Sequence, residues 1–159
     1  MEKDFKFIEG GVACPEGFLA SGVLNKIKPS RTTFDTALVF SEKQCNAAGI
    51  FTKNKVKAEC VITDEGNSIL EIKNIAVAPE EQKQGLGRKL IEFVKDKFKQ
   101  EYKILQVGTG DSPLTIPFYE SCGFKRSHVI SGFFTKNYDH PIYEAGVLLK
   151  DMVILRMDF

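Results

Sequence analysis

The spacing of apolar residues changes character near residue 63 of this 159-residue chain. Before that point Gly and Pro separate short apolar runs such as "GGVACPEGFLASGV", "FDTALVFSE" and "CNAAGIFTK", which predict strands or ordered loops rather than helices. After it, the run "SILEIKNIAV" predicts a strand. Leu86, Leu90, Val94 and Phe98 then recur at every fourth position, which predicts an amphipathic helix.

Further elements are predicted towards the C terminus. The run "KILQVGTG" is typical of a strand that ends in glycines, and "SPLTIPFYESCGF" of a short helix that Ser112 caps and Gly123 ends. Pro117 either kinks this helix or marks its true start. The runs "KRSHVISGFFTK" and "DMVILRMDF" predict two late strands, joined by the loop "NYDHPIYEAG".

Length, charge and hydropathy narrow the class of protein. A chain of 159 residues suits one domain, residues 1–159, that closes a hydrophobic core without metal or disulfide bonds. Its 22 Lys and Arg against 21 Asp and Glu give a net charge of +1, so no overall field favours nucleic acid or an anionic membrane. No run approaches the roughly 20 apolar residues of a membrane span. The N terminus lacks the apolar region of a signal peptide. We therefore expect a soluble cytoplasmic protein that binds neither nucleic acid nor membrane.

Cysteine and histidine give little support to a metal site. The four cysteines lie far apart and form no C-x-x-C pair, and neither histidine has partners at metal-ligand spacing. We expect free thiols and no metal. The residues concerned are Cys14, Cys45, Cys60, Cys122, His128 and His140.

Two glycines interrupt the predicted helix in "APEEQKQGLGRKLIEFVKDKF", residues 78–98. A helix N-terminus carries free N–H groups and the positive end of the helix dipole, so it binds phosphate where no side chain blocks the approach. Gly85 and Gly87 would remove two such side chains and allow a positive φ that turns N–H groups inward. The flanking Gln and basic residues would bracket the phosphates. The alternative is a plain turn before an ordinary helix, since a single G-x-G is a weak signal.

The string from Gln82 to Gly87 resembles the Q/R-x-x-G-x-G/A pyrophosphate loop of the GNAT superfamily of N-acetyltransferases. The strand ending "NIAVAP" before it and the string "FYESCGF" after "VGTGDS" also match that family in order. The resemblance covers about residues 64–159. It implies an α/β fold with a mixed, mostly antiparallel twisted sheet flanked by helices. It also implies acetyl-CoA as the cofactor and direct acetyl transfer to a primary amine in a ternary complex.

In that family the pantetheine arm of the donor lies between two central strands that splay apart. The matching strands end here at Val77 and near Gly108, so the resemblance places main-chain groups of Ile75 and Val77 beside the thioester, where an N–H polarises its carbonyl. The other residues implied for the cofactor belong to the loop, the helix start and the next loop. They are Gln82, Lys83, Gln84, Gly85, Leu86, Gly87, Arg88, Lys89 and Ser112.

The resemblance also suggests catalytic groups. Tyr119 matches the usual general acid of the family, which protonates the departing CoA thiolate; as an alternative it is a core aromatic residue. Glu71 on the central strand is the expected base, directly or through water. Asp139 and Glu144 in the late loop are the alternatives left open. A strand Glu is more often a solvated side chain.

The late loop supplies candidates for binding the acceptor. Tyr138, Asp139, Tyr143 and Glu144 would place aromatic faces and negative charge near a cationic amine. The alternative is a solvated hairpin loop. The expected acceptor is an amine on a small molecule or a peptide. Polyamine, amino acid, aminoglycoside, peptide N-terminus and protein lysine all stay open.

The first 63 residues carry a different resemblance. The strings "GGVACPEGFLASGV" and "ALVFSEKQCNAAGIFTKNKVKA" resemble the opening of the bifunctional ornithine/glutamate acetyltransferases of arginine biosynthesis, over about residues 8–63. The segment that carries the Thr nucleophile of that family has no counterpart here, so none of its catalytic residues is transferred. The chain resembles a fusion in which this segment supplies the first strands without the two helices usual in GNAT domains.

Without those helices, edge strands and apolar surface would be exposed. A second copy of the chain is the simplest cover, so we expect a homodimer with residues 36–62 at its interface. Two other functions stay open, a non-catalytic acyl-CoA-binding module and a module that acts mainly in assembly.

Overall fold

The computed structural model describes residues 4–9, 45–52 and 55–159. Within these ranges the chain forms nine strands and three α-helices, with a short 3-10 helix at Pro79–Glu81. The elements, in chain order, are β1 (Asp4–Glu9), β2 (Cys45–Thr52), β3 (Lys55–Asp64), β4 (Ile69–Val77), α1 (Leu86–Phe98), β5 (Ile104–Gly110), α2 (Thr115–Ser121), β6 (Lys125–Ile130), α3 (Phe133–Asn137), β7 (Tyr143–Glu144), β8 (Val147–Leu148) and β9 (Met152–Asp158).

Seven strands form one sheet in the order β1-β2-β3-β4-β5-β9-β6. The β4–β5 pair is parallel, while the other pairs of this sheet are antiparallel. The helix α1 connects the two parallel strands, as a crossover between parallel neighbours requires. The strands β7 and β8 form a separate hairpin. The expected α/β fold with a mixed, mostly antiparallel sheet is confirmed.

The two central strands part before they end. The paired register of β4 and β5 runs from Ile69 opposite Ile104 to Ile72 opposite Val107. Beyond it, β4 continues to Val77 and β5 to Gly110. A register shift on the β3 side of β4 follows at the same level, and such a bulge increases local twist. The expected splay between the central strands is therefore present.

Apolar residues cover both faces of the sheet. The stripe of α1 packs into one cluster, with Leu86, Leu90 and Val94 at most 1% exposed, which confirms the predicted helical period. Val153 and Leu155 of β9 join that cluster. Because side chains alternate along a strand, their neighbours Met152 and Ile154 face the other side, where they pack with Phe134 and Leu149.

The region around α2 departs from the prediction. The helix begins at Thr115, with Leu114 rather than Ser112 at the N-cap, so Pro117 lies near the true start of the helix. The Ser112 hydroxyl still accepts hydrogen bonds from the amides of Leu114 (3.2 Å) and Thr115 (3.4 Å), two and three residues further on, as a capping side chain does. Gly123, at φ +99°, follows the helix end as predicted.

The strand predicted for "KRSHVISGFFTK" is only half correct. Residues Lys125–Ile130 form β6, but Phe133–Asn137 form the helix α3. Gly132 precedes α3 with a left-handed φ of 66°, and the Phe134 amide donates to the Lys150 carbonyl at 3.0 Å. Phe134 is buried against β9, and this packing favours the helix α3. The spacing of apolar residues along the sequence could not show it.

Part of the N-terminal prediction falls outside the described residues. The run "CNAAGIFTK" forms most of β2, as expected, and β1 pairs along its outer edge. The strand predicted in "FDTALVFSE" and the expected lack of two helices concern residues 10–44, which are not described. In the described parts of the chain, no helix is both long enough and apolar enough to cross a membrane.

Candidate functional site

The turn before α1 has the backbone shape that the glycine motif predicts. Gly85 is the N-cap of α1 with φ 78°, and Lys83 also has a positive φ of 59°. The Lys89 amide donates to the Gly85 carbonyl at 3.1 Å, which closes the first turn. As at the start of any helix, the amides of the first residues, here Leu86, Gly87 and Arg88, have no carbonyl acceptor within the helix. These amides and the helix dipole favour an anion.

A cavity of about 540 Å³, here called the first cavity, opens between this turn, the end of β4 and α2. The residues predicted to bind the cofactor line it, except Gln84, Lys89 and Ser112. Its full lining is Ile75, Val77, Gln82, Lys83, Gly85, Leu86, Gly87, Arg88, Leu114, Thr115, Phe118 and Tyr119.

The three exceptions have other partners or positions. Gln84 donates from Nε2 to the Glu80 carbonyl at 3.4 Å, and Lys89 is exposed on the outer side of α1. Ser112 is buried at 4% exposure, away from the first cavity. The structure therefore does not support a cofactor role for the side chains of these three residues.

Arg88 lines the first cavity but its guanidinium has a structural task. It donates to the Ser121 carbonyl at 2.7 Å and to the Ser121 hydroxyl at 3.0 Å. A cation that meets the last carbonyls of a helix is favourable with respect to the helix dipole. Arg88 therefore ties α1 to the end of α2.

Gly87 also differs from the expectation. A Cβ at this position would lie 3.0 Å from the Phe118 ring of α2, whereas a Cβ at Gly85 would meet nothing within 4 Å. Gly87 is thus required by the close packing of α1 on Phe118. Gly85 alone of the pair is a glycine whose surroundings are open, with the left-handed φ that glycine adopts freely.

A second cavity of about 310 Å³ lies on the other side of the splay. It shares three residues with the first cavity, namely Ile75, Thr115 and Tyr119, so the two cavities meet where β4 and β5 part. Its other lining residues are Lys73, Asn74, Val107, Gly108, Thr109, Gly110, Phe134, Tyr138, Ile142, Tyr143, Glu144 and Leu149.

Tyr119 stands at the junction of the two cavities. It is 6% exposed, and its ring packs edge-on against the rings of Phe118 and Phe124. Burial raises the pKa of the Tyr119 hydroxyl well above its ordinary value of 10, and negative charge at Cys60, Cys122 and Glu144 adds to the rise. The phenol therefore keeps its proton at neutral pH and has it available for donation.

The β7–β8 hairpin carries a carboxylate into the second cavity. Ala145 and Gly146, both with positive φ, form the tight turn that follows Glu144. Its Oε2 accepts hydrogen bonds from the hydroxyls of Ser112 and Thr115, the latter at 3.2 Å. The other oxygen, Oε1, has no hydrogen-bond partner in the described part of the chain. Glu144 is thus a held carboxylate with one oxygen available.

The expectation that Glu71 acts as the base is not supported. Glu71 lines neither cavity, and both of its oxygens are engaged: Oε1 lies 2.6 Å from the Lys73 ammonium, and Oε2 accepts from Gln106 Nε2 at 2.6 Å. The Gln106 carbonyl in turn accepts from Arg156 at 2.7 Å. Glu71 belongs to a polar network buried across β4, β5 and β9.

The late loop is divided between two places. Tyr138 lines the second cavity and stacks on Phe134, with ring centroids 5.7 Å apart. The Asp139 side chain is 95% exposed and lies 2.5 Å from His140 Nδ1. It lines a neighbouring cavity of about 250 Å³ that does not include Tyr119. Of the predicted acceptor residues, Tyr138, Tyr143 and Glu144 line the second cavity, whereas Asp139 lies outside it.

Sequence reasoning missed three residues of the second cavity. Thr115 holds Glu144 and lines both cavities, and Phe134 forms part of the wall. The amide nitrogen of Asn74 is buried without a hydrogen-bond partner, and such a group costs about 1–3 kcal/mol until a ligand satisfies it. Asn74 could have been noticed as the polar interruption of the strand "ILEIKNIAV".

Metal and disulfide chemistry receive no support from the described residues. Among them, no group of three or more His, Cys, Asp or Glu side chains is placed to hold a metal ion. In this part of the chain, Cys60 and Cys122 take part in no disulfide bond. Burial raises the pKa of Cys122, and the nearby Arg88 charge opposes that rise.

Comparison with known proteins agrees with this geometry. Residues 42–126 match the family described as an acetyltransferase (GNAT) domain. The chain is 33% identical over 113 residues to the uncharacterized N-acetyltransferase YvbK of Bacillus subtilis. The aligned residues make up 70% of this chain and 67% of that protein. A GNAT family acetyltransferase from Elizabethkingia anophelis, crystallised with acetyl-CoA bound, superimposes with a TM-score of 0.72 at 29% identity, over 98% of both chains.

The fold and its two joined cavities define an enzyme that transfers acyl groups from a CoA thioester. The chain belongs to the GNAT family of acetyltransferases, and it is an acetyl-CoA-dependent N-acetyltransferase that acts on amines.

The second likeness is confirmed over a shorter stretch. The chain is 49% identical over 55 residues to the arginine biosynthesis bifunctional protein ArgJ of Gloeobacter violaceus. The match covers 35% of this chain but only 13% of that protein. The activity of ArgJ is therefore not carried over to this chain.

Proposed function

We propose that the first cavity holds acetyl-CoA and the second holds the acceptor amine, and that the acetyl group passes directly between them. The supporting observation is that the two cavities meet at Ile75, Thr115 and Tyr119, where the central strands part. A thioester reaching the gap from one side would meet an amine arriving from the other. Holding both reactants in one geometry lowers the entropic part of the barrier.

The turn from Gln82 to Gly87 is the proposed pyrophosphate site. Its support is the left-handed Gly85, the free amides at the start of α1 and the open space beside them. The pantetheine arm would lie along Ile75 and Val77, which line the same cavity. A main-chain N–H of that strand would polarise the thioester carbonyl.

Tyr119 is the proposed general acid. The amine nitrogen attacks the thioester carbonyl carbon, and the carbon–sulfur bond breaks as the tetrahedral intermediate collapses. The departing thiolate then takes the phenolic proton. The position of the buried, protonated hydroxyl at the junction of the cavities supports this role.

Glu144 is the proposed anchor and proton acceptor for the amine. It is the alternative that the sequence left open and that the structure places in the second cavity, while Glu71 is engaged elsewhere and Asp139 is exposed. The hydroxyls of Ser112 and Thr115 hold one carboxylate oxygen, which leaves the other to meet the ammonium group and to take its proton, directly or through water.

Initial-rate kinetics test direct transfer. Rates are measured by release of free CoA while acetyl-CoA and an accepted amine are varied together. Direct attack in a ternary complex gives intersecting double-reciprocal lines. Parallel lines, together with an acetylated protein detected by mass spectrometry in the absence of amine, would instead establish a covalent intermediate and end the proposal.

The homodimer stays a prediction, as do the cytoplasmic location and the lack of nucleic-acid and membrane partners. The strand β2, which lies in the predicted interface of residues 36–62, already pairs with β1 along one edge and with β3 along the other. A dimer at this end would therefore extend the sheet from β1 or use a face of the sheet. Sedimentation equilibrium at micromolar concentration separates a 17.8 kDa monomer from a dimer.

A further inference from the structure

The wall of the second cavity beyond Glu144 is apolar. Phe134 and Leu149 belong to the buried cluster on this face of the sheet, and Tyr138 and Ile142 pack against it. The rings of Phe134 and Tyr138 are nearly parallel, at an interplanar angle of 22°. An amine held at Glu144 would therefore lay the rest of its structure against aromatic and aliphatic side chains.

Among the described residues of this lining, Lys73 is the one basic side chain, and its charge is already neutralised. The Lys73 ammonium lies 2.6 Å from Glu71 and 3.1 Å from Glu65, and its side chain is only 10% exposed. A carboxylate on the acceptor would have to compete with both of these partners. The cavity therefore does not favour a zwitterionic acceptor such as a free amino acid.

A second ammonium group on the acceptor would meet a different obstacle. Glu144 is the one carboxylate among the described residues of the lining, so a second ammonium group beside Phe134, Ile142 and Leu149 would have no partner there, and burying a charge without a partner is strongly unfavourable. The exposed Asp139 is paired with His140 in the adjoining cavity rather than in this one. An extended diamine would therefore lose the hydration of its second ammonium group and gain only apolar contacts in return.

The size of the cavity points the same way. Its volume of about 310 Å³ is at the lower end of the range of roughly 300–1,000 Å³ that holds small-molecule ligands. This space suits a compact molecule rather than a segment of protein.

We infer that the acceptor is a small primary monoamine with an apolar body, an alkylamine or arylalkylamine. This inference rests on the proposed function, because it assigns the second cavity to the acceptor. Glu144 binds the single ammonium group, and the Phe134, Tyr138, Ile142 and Leu149 side chains select against charge or strong polarity at the other end.

Three amines of equal chain length test the selection. Hexylamine, 1,6-diaminohexane and 6-aminohexanoate differ only in the group at the far end. With the full chain and saturating acetyl-CoA, kcat/KM for hexylamine should exceed the other two by about tenfold or more, since a charged end is desolvated against apolar walls. Equal or better use of the diamine or of 6-aminohexanoate overturns the inference, while acetyl transfer as such would stand.

A change in the wall sharpens the test. Ile142→Glu places a second carboxylate in the wall of the second cavity, two residues before Glu144, so it should raise the ratio of kcat/KM for diaminohexane over hexylamine by about tenfold. Ile130→Glu is the matched control, because Ile130 is 41% exposed and lines neither cavity. A ratio that is unchanged in Ile142→Glu, in a protein that still binds CoA, counts against the inference.

If none of the three amines is acetylated by a protein that binds acetyl-CoA, the proposed function fails for this class of acceptor and binding decides the inference separately. Calorimetry with the CoA-loaded protein then compares hexylammonium with the diamine and with 6-aminohexanoate. Tighter binding of hexylammonium that is lost in Glu144→Gln supports the inference. Equal binding, or none, overturns it.

Discussion

The two cavities of this enzyme are built in opposite ways. Most of the first cavity comes from one continuous stretch, the end of β4 and the turn into α1, with α2 completing it. The second cavity is assembled from β4, β5, α2, α3, the β7–β8 hairpin and the approach to β9. One cavity is therefore a local feature of the chain, and the other exists only when distant segments meet.

This difference has a chemical counterpart. The first cavity offers main-chain amides at a helix start, a device that binds phosphate with little dependence on side chains. The second offers one carboxylate, a set of hydroxyls that hold it and an apolar wall. A constant donor is thus bound by backbone geometry, whereas the choice of acceptor depends on side chains that can vary without altering the donor site.

The largest expected effect lies at Tyr119, one of the three residues that belong to both cavities. Tyr119→Phe should lower kcat by roughly 10- to 1000-fold with little change in KM for acetyl-CoA, because the proton is needed only when the thiolate departs. Stopped-flow and steady-state assays of CoA release measure it. Tyr102→Phe is the control, since that ring packs against Phe98 and Phe159, away from both cavities. An unchanged kcat in Tyr119→Phe would make Tyr119 a packing residue.

Two glutamates, the partly buried Glu144 and the buried Glu71, distinguish the acceptor side from the framework. Glu144→Gln should reduce kcat/KM for the amine by about 100-fold and leave KM for acetyl-CoA unchanged, because the anchoring charge is lost only in the second cavity. Glu71→Gln should instead lower stability by ~2 kcal/mol, because it leaves Lys73 with a weakened buried partner, and should spare the kinetics. Thermal unfolding and assays on both variants decide. If Glu71→Gln lowers kcat/KM and Glu144→Gln does not, Glu71 is the base instead.

The donor side can be probed with a matched pair of glycines. Gly85 and Gly66 have nearly the same left-handed φ, 78° and 79°, and a Cβ would meet nothing within 4 Å at either position. Alanine should therefore strain both backbones equally. Only Gly85→Ala should weaken CoA binding, by about tenfold, because the strain disturbs the phosphate turn. Calorimetry measures the affinity, and equal CoA affinity in the two variants would contradict the phosphate-turn assignment.

The smallest expected effect concerns the packing beneath the first cavity. Gly87→Ala brings a Cβ to 3.0 Å from the Phe118 ring, so it should destabilise the fold by ~1 kcal/mol. Phe118→Leu in the same chain should recover part of that loss. A double-mutant cycle of unfolding free energies tests this coupling. Additive effects on the unfolding free energy would mean that the α1–α2 contact adjusts to the added Cβ without loss of stability.

The two candidate carboxylates illustrate what the sequence alone could not decide. The sequence places Glu71 on a predicted strand and Glu144 in a predicted loop, but neither position shows which carboxylate is engaged by other side chains. The pairing of β4 with β5 places Glu71 opposite Gln106, and the hairpin turn carries Glu144 to Ser112 and Thr115. Because each contact joins segments far apart in the chain, only the folded structure shows which oxygen stays available.

The sequence by itself determined the donor half: the strand β4, the left-handed turn at Gly85, the amphipathic face of α1 and the stop at Gly123. These features depend on periodicity and on the conformational freedom of glycine, which act between near neighbours. Tertiary structure decided the acceptor half. It made "FFTKN" a helix through the burial of Phe134. On the donor side, too, tertiary structure decided one point, because it assigned Gly87 to packing against Phe118. Burial depends on contacts with distant parts of the chain, and no short stretch of sequence specifies those contacts.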